Sequence, residues 1–579
     1  MIERTCRVSG EKFEITKGDL EFYAKIGMIA EENLQDLISG KINDCSGLPT
    51  LCPEERQRRR LAWRNERSIC MRTCDATGRT MMSTFSQEVS FPVYSYEYWW
   101  SNNWDALDYG QEFDFSRPFF EQFFELMENV PVPSRAMEES TCINSEYCNE
   151  ASRIKNCYLC FEFTESEDCM YSRGCQNCRD VSDCLNCTYA EMAYGLVESH
   201  NCSYSKYLFD CKNCNDCEFC ANCIGCHNCF GSVNLRNKEY YFMNKKYTQS
   251  EYENKVSSLK SKYKESELLT NFLQHKTKFP TKFAHNLNTE NCTGEYLNNC
   301  KNSYCCFSCG DLEDCKYCDG LLGGVRNFSS MDVSHFGLGV QHCYESQCIG
   351  GAPGTAFQVL FSTSSWNVRD LFYCYFCIQG SASCFGCIGL RKKQYCILNK
   401  QYTKEAYEKL LPKIIEHMKQ TGEWGEFFPA NMSPFAYNET VANEYFSLTK
   451  DEAEKRGYQW KEEPINKKYE TLKQSFDWNQ ISDDIQEVGD DILTKVLFCE
   501  RSGKPYQIQK AELKFYRKMN LPIPHLHPDE RYKMLMRVRS GRTLLPQSCH
   551  KCGESFLSVK NKNDFVEILC EKCYLEAVN

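Results

Sequence analysis

Between residues 142 and 235 every third side chain is Cys, Ser, Ala, Val, Ile, Leu or Phe, without exception. The register opens Cys142, Ser145, Cys148, Ala151, Ile154, Cys157, Cys160. It later runs through seven consecutive cysteines at step three, Cys211 to Cys229, then Ser232 and Leu235. All seventeen cysteines of the stretch share the register, and no charged or amide side chain enters it. A step of three drifts off one face of an α-helix, which advances about 300° each time. It drifts off a strand face too, where side chains alternate with period two. The chain must adopt three residues per turn, or wind in coils whose corners reset the register. The residue before each lattice position is rich in Asn, Asp and Gly, among them Asn156, Asp168, Gly174, Asn213, Asp216, Asn222 and Gly225. These types accept left-handed backbone and nucleate turns. The predicted geometry is turn-rich coils stacked on a narrow core, a β-solenoid-like array. A polyproline-II-type bundle is the alternative.

Two further repeats organise the rest of the chain. Cys6-Arg7-Val8-Ser9-Gly10, followed by KFEITKGDLEFYAK, matches Cys499-Glu500-Arg501-Ser502-Gly503, followed by PYQIQKAELKFYRK. PTLCPEER matches PHLHPDER, placing Cys52 opposite His527, and each lies 22 residues before a further cysteine, Cys74 or Cys549. An inner pair, CFGSVNLRNKEYYFMNKKYTQSEYENKV from Cys229 and CFGCIGLRKKQYCILNKQYTKEAYEKLL from Cys384, closes two cysteine-rich stretches. Each copy leads into a polar helical segment, near 248–275 and 403–420. The second stretch keeps the triplet less strictly, from Cys300 to Leu321, before Gly-rich sequence interrupts it.

The predicted fold is multidomain and mainly β, with two cysteine-rich solenoid-like segments flanked by duplicated zinc-ribbon modules and helical connectors. Its boundaries are a degenerate N-terminal module at 1–105, an aromatic connector at 106–140 and a first cysteine-triplet segment at 141–247. A helical connector at 248–285, a second cysteine-rich segment at 286–402, a helical or irregular connector at 403–495 and a C-terminal zinc-ribbon module at 496–579 follow. The rings of 93–133 are expected to pack against neighbouring elements.

Four cysteines point to metal. Cys549-x-x-Cys552 and Cys570-x-x-Cys573, with seventeen residues between the pairs, have the zinc-ribbon spacing, in which two turns each offer two thiolates to one tetrahedral Zn2+. Gly553 suits the tight turn. Four protein ligands leave no open position, so the predicted zinc is structural. In the N-terminal copy the matching residues are Cys74, Thr77, Ser95 and Tyr98, so that copy is expected to fold without this zinc. Weaker metal candidates are Cys6, Ser9, Cys52 and Glu55, with Cys45 and Cys70 as further donors, the lone Cys74, and in the second copy Cys499, Ser502, His527 and Glu530, with His525 as a further donor. The lattice cysteines read first as small buried hydrophobes, because Ser, Ala, Val and Phe share their slots; bound metal and disulfide ladders are the alternatives.

The segment PEERQRRRLAWRNER carries Arg58, Arg59, Arg60, Arg64 and Arg67 on a short helical stretch beside the ribbon, an arrangement able to contact RNA or DNA phosphates. A solvated helix face or pairing with acidic connectors is the alternative. The net charge of −11 argues against general nucleic-acid coating. No phosphate loop, dinucleotide fingerprint, nucleophile elbow or HExxH motif is present, and no catalytic residue is proposed. No run of eighteen apolar residues predicts a membrane span. The first residues lack a secretory h-region, so a cytoplasmic location with reduced cysteines is expected.

The blocks CRVSG, DLEFYAK, PTLCPEERQRRRLAWRNER, YSYEYWWSNNWDALDYGQEFDFSRPFFEQF, NCIGCHNCFGSVNLRNKEYY and, at 424–440, WGEFFPANMSPFAYNET resemble cysteine-rich zinc-ribbon proteins of uncultivated ultra-small bacteria. The resemblance spans nearly the whole chain and implies a zinc-ribbon protein without implying a reaction. Proteins of the family this sequence resembles commonly carry Cys-Pro-x-Cys-Arg where this chain has Cys52-Pro53-Glu54-Glu55-Arg56, a departure that counts against zinc at Cys52. The expected function is a zinc-binding, non-enzymatic repeat scaffold for a protein or polymer partner. Nucleic-acid binding, RNA foremost, and thiol-based metal storage or redox buffering are the alternatives.

Overall fold

The computed structural model describes residues 2–42, 46–174, 202–263, 265–321, 325–334, 340–341, 343–350, 357–462 and 467–578. Cys45, the lattice cysteines Cys175, Cys178, Cys184 and Cys187, and the Gly-rich 351–354 lie outside these residues.

Within the first cysteine-rich segment the strands pair in parallel at an offset of twelve residues. Ala151 faces Phe163, Glu218 faces Lys206 on one side and Phe230 on the other, and His227 faces Glu239. From Ile154 on, the described residue before a lattice slot of this segment is left-handed, with φ of 51° at Arg153, 54° at Asn156, 51° at Leu159 and 57° at Asp168. Two extended residues and one left-handed residue make a triplet, and four triplets return the chain above its starting point. This resolves the puzzle of the period: the described lattice side chains from Cys148 to Ser232 point inward because a corner follows each pair of extended residues. An antiparallel turn, Phe242 against Lys245, closes the ladder.

The second segment obeys the same rule with longer corners. Leu297 pairs with Cys309 and Val359 with Leu371 at twelve residues, whereas Leu312 pairs with Asn327, Gln347 with Thr363 and Leu371 with Cys384. The extra residue between Leu371 and Cys384 is absorbed at a corner, where Gln379 and Gly380 are both left-handed, so the triplet is blurred in sequence while the parallel ladder persists.

The interior explains the residue choice. Cys211 Sγ lies 3.4 Å from Phe209 O and 3.5 Å from Cys220 O, and Cys220 Sγ repeats this with Glu218 O and Cys229 O. Ser205 fills the same role, donating to Ser203 O at 2.8 Å while accepting from Cys217 N at 3.1 Å. A slot therefore selects a small side chain with a donor for a buried carbonyl. Outside, corner amides form ladders: Asn144 donates to Asn156 at 3.1 Å, and Asn156 to Asp168 at 2.9 Å.

The terminal modules pack crosswise. The N-terminal module, the aromatic connector and the helix Lys404–Thr421 share one core with the second cysteine-rich segment, where Phe119 lies 5.2 Å from Tyr373 and 5.3 Å from Phe385. The C-terminal module and the helices Gln249–Lys262 and Glu265–Lys276 share another core with the first segment, through Tyr171, Phe209 and Phe219. Trp99 and Phe123 are fully buried, as expected of the aromatic connector region.

Duplication of the module is visible bond by bond. Cys74 N donates to Arg79 O and Gly78 N to Cys74 O; Cys549 N donates to Glu554 O and Gly553 N to Cys549 O. Strands Cys70–Thr73 and Thr80–Ser83 correspond to Leu545–Ser548 and Ser555–Ser558. The short helix Tyr96–Trp100 corresponds to Glu571–Val578.

The shape of the slot can be probed at Cys220, which is fully buried. Cys220→Ser keeps a donor for Glu218 O and should cost about 1 kcal/mol. Cys220→Leu should cost about 1–3 kcal/mol more through overpacking. Chemical denaturation followed by circular dichroism ranks the two variants, and equal tolerance would contradict this account of the slot.

Candidate metal centre

The four cysteines with ribbon spacing converge. All four Sγ atoms of Cys549, Cys552, Cys570 and Cys573 lie within 4.8 Å of one another, and Cys552 Sγ is 3.7 Å from Cys570 Sγ. A tetrahedral zinc with Zn–S bonds of about 2.3 Å requires sulfur–sulfur edges of roughly 3.8 Å, so the donor set fits the ion. The first turn is closed by Gly553 at φ 77°, where a side chain would be strained. Cys570 N donates to Cys549 Sγ at 3.4 Å. Burial opposes ionisation of Cys549, but N–H groups of Cys570, Cys552 and Lys551 outweigh it and hold the thiol down to about 6. Such a thiol reaches the thiolate form that metal binding requires.

The rest of the molecule holds this centre in place. Ile568–Leu569, just before the second pair, runs parallel to Thr281–Lys282. Tyr574 donates to Asn234 at 3.0 Å and accepts from Asn222, two corner residues of the first stack. The ladder amides thus double as a docking surface. The N-terminal counterpart keeps one equivalent bond, Ser95 N to Cys74 Sγ at 3.2 Å. Its other ligand positions are Thr77, Ser95 and Tyr98, and Trp99 packs 5.1 Å from Trp100 and 5.6 Å from Trp104.

The weaker metal candidates do not assemble. Cys6 and Cys52 are neighbours, and Ser9 Oγ lies 3.8 Å from Cys52 Sγ, but no third Cys, His, Asp or Glu donor joins them among the described residues. Glu55, the expected partner, is engaged by Arg58 and Arg456, each at 2.6 Å. Cys74 belongs to the other turn, and Cys70 donates to Phe85 O. In the second copy the His527 backbone N–H approaches Cys499. Its ring Nδ1 accepts from Asp529 N at 3.1 Å, and His525 stacks on Trp478 and pairs with Glu500.

The arginine segment requires a correction. It does form a helix, Pro53–Leu61, but Arg58, Arg59, Arg60 and Arg64 are buried, and the Arg67 side chain is only 13% exposed. Arg59 bridges Glu345 at 2.7 Å and Glu426 at 2.9 Å; Arg60 lies 3.3 Å from Asp332, which also takes Arg56 at 2.8 Å. Arg64 meets Glu66, Glu150 and Glu162, while Arg67 lies over Tyr532, 3.6 Å from the ring centroid. These side chains are therefore not a phosphate-binding face: they clamp the helix to the stacks. Their carboxylate partners Glu150, Glu162, Asp332 and Glu345 are themselves left-handed corner residues. Carboxylates at left-handed corners are common, Glu165, Asp168 and Asp216 among them, so no local sequence signal marks the four that receive this clamp.

Glu66, Glu150 and Glu162 bring three carboxylates together, but the guanidinium groups of Arg64 and Arg173 occupy the space among them. Removing Arg59 by substitution with Ala takes the ion-pair partner from fully buried Glu345 and one of two from Glu426, and should cost about 3–5 kcal/mol in urea denaturation, against about 0.5 kcal/mol for an ordinary surface arginine.

The acidic cluster also couples to pH. Burial, partly offset by Arg64 and Arg173, raises Glu66 to about 7 and Glu150 to about 8. An acid raised on folding stabilises fully below its unfolded value of about 4.3, and that contribution is lost as pH rises through the folded values. The melting temperature should therefore fall between about pH 4 and 8, and Glu150→Gln should flatten that dependence.

No family model matches this chain, and no curated protein matches it. Among solved structures, a chain described as "putative acetyltransferase from Desulfovibrio desulfuricans G20" aligns with 49% of this chain and 80% of its own. The identity is 8% and the TM-score 0.11, and the likeness carries no argument.

Proposed function

We propose that this chain is a zinc-binding, non-enzymatic scaffold. Two solenoid-like stacks would form its body, duplicated zinc-ribbon modules would brace them, and their outer faces would engage a protein or polymer partner in a reducing cytoplasm. The observation that carries the reading is the four-sulfur cluster, whose 3.7 Å contact and closed donor set suit a structural zinc. The resemblance to cysteine-rich zinc-ribbon proteins points the same way. Exposed rings at Tyr147, Tyr204, Phe328 and Phe357 offer contact points on the stacks. The nucleic-acid alternative loses its main support, since the arginines that suggested it are buried in ion pairs. Metal storage is not favoured either, because many described lattice thiols lie within hydrogen-bonding distance of backbone carbonyls. Among the described residues no helix is long and apolar enough to cross a membrane.

Native mass spectrometry of anaerobically purified protein should find one zinc per chain, with the other cysteines titrating as free thiols. Cys573→Ser should lose that zinc and the hydrogen-exchange protection of 545–578 while the stacks keep theirs. Six or more metal ions per chain would replace the scaffold reading with metal storage.

A further inference from the structure

A cavity of about 350 Å³ lies where the first stack, the segment after the helix Glu265–Lys276, the end of the helix Pro528–Val538 and the loop 559–565 meet. Its volume falls at the lower end of the range for small-molecule sites. The walls are strongly polar, and their charges divide into two sets.

One set is internally satisfied. Glu295, fully buried behind the wall, takes His285 Nδ1 at 2.7 Å, Lys560 Nζ at 3.2 Å and the Ser540 hydroxyl at 3.1 Å. Lys560 and His285 oppose burial and hold the Glu295 carboxyl down at about 2, so it remains ionised. Asp210 accepts from the Tyr296 hydroxyl and lies 3.5 Å from His285 Nε2, and the imidazole stacks on the Tyr296 ring. Arg539 donates to the Tyr445 hydroxyl at 2.7 Å.

The other set is not satisfied. Lys276 and Arg537 line the cavity, and among the described residues neither meets a carboxylate within ion-pairing distance. The Lys276 ammonium lies 5.3 Å from the centre of the Phe209 ring. Burial pushes its pKa below the usual lysine value, and nearby Lys560 adds to this against the pull of Asp210. Arg537 is exposed at the mouth, as is the rim carboxylate Asp564. The hydroxyls of Thr277 and Thr281 and the amide of Asn561 supply neutral polar groups.

We infer that this cavity binds a small organic oxyanion, a phosphate monoester or a polycarboxylate, between Lys276 and Arg537. Two cations lining one cavity can each take a separate oxygen of one ligand, a charge-assisted contact stronger than a neutral hydrogen bond. The cavity is larger than bare phosphate needs, so the ligand carries a neutral body against Phe279, Val538 and Phe565. The inference stands apart from the scaffold reading, since it concerns neither the zinc centre nor the partner surface.

The test uses the full zinc-loaded chain, titrated calorimetrically with inorganic phosphate, glycerol 3-phosphate and citrate up to about 10 mM at low salt. Saturable binding of glycerol 3-phosphate or citrate with Kd below about 1 mM is expected. The preferred probe would separate the phosphate ester from the polycarboxylate. The double substitution Lys276→Met and Arg537→Gln should weaken it at least tenfold, with zinc content and unliganded melting unchanged. If that protein fails to fold, Arg537→Gln alone, at an exposed position, should weaken binding several-fold. Absence of saturable binding to both organic probes, or undiminished binding in these variants, would overturn the assignment.

Discussion

The left-handed residue at every third position governs the stacks, because it decides which side chains can exist inside and outside them. Each costs a non-glycine residue roughly 1–2 kcal/mol relative to ordinary backbone, less for Asn and Asp. The price is recovered by the parallel ladder and by a core narrow enough that small side chains fill it. Because the corner also turns carbonyls toward the interior, the best occupant is small, apolar and able to donate one weak hydrogen bond. Cysteine meets all three demands, and serine meets two. The unusual cysteine content is therefore a packing solution before it is a chemical one.

The same corners determine how the modules attach. A corner side chain points outward, and successive corners lie one strand spacing apart, about 4.8 Å. Filled with asparagine they make ladders; filled with Glu150, Glu162, Asp332 or Glu345 they become receptors for buried arginines. Replacing such ion pairs with apolar contacts is often neutral or better for stability, so their value here lies in registration. Arg56, Arg59 and Arg60 engage the second stack while Arg64 engages the first. One short helix and the turn that follows it thereby set the relation between two repeat bodies whose flat faces would tolerate many.

Much of the backbone was legible because the constraint is periodic. The lattice, the asparagine-rich corners, the duplicated modules and the segments near 248–275 and 403–420 all follow from spacing, and the four cysteines at 549–573 do converge. The crosswise pairing of modules with stacks was not legible. It depends on which aromatic faces meet, Phe119 with Phe385 or Phe209 with Phe272, and no local pattern encodes that choice. The arginine helix misled for a related reason. A dense positive run looks like a surface feature when its acidic partners lie about a hundred to several hundred residues away.

The contrast between lattice and ribbon cysteines turns on direction. In the first stack, described sulfurs sit in rows on successive coils, with carbonyls two residues back or nine ahead; in the second the forward carbonyl lies nine to twelve ahead. Drawing four onto one ion would pull them away from those carbonyls and leave buried acceptors unpaired, at about 1–3 kcal/mol each. In the C-terminal module two tight turns face each other, so four sulfurs point at a common centre and backbone N–H groups lower the thiol of Cys549. One element thus serves as packing where the backbone offers acceptors and is arranged to hold a metal ion where it offers donors. Cysteine spacing alone reads Cys-x-x-Cys in both places; the polarity of the surrounding backbone tells them apart.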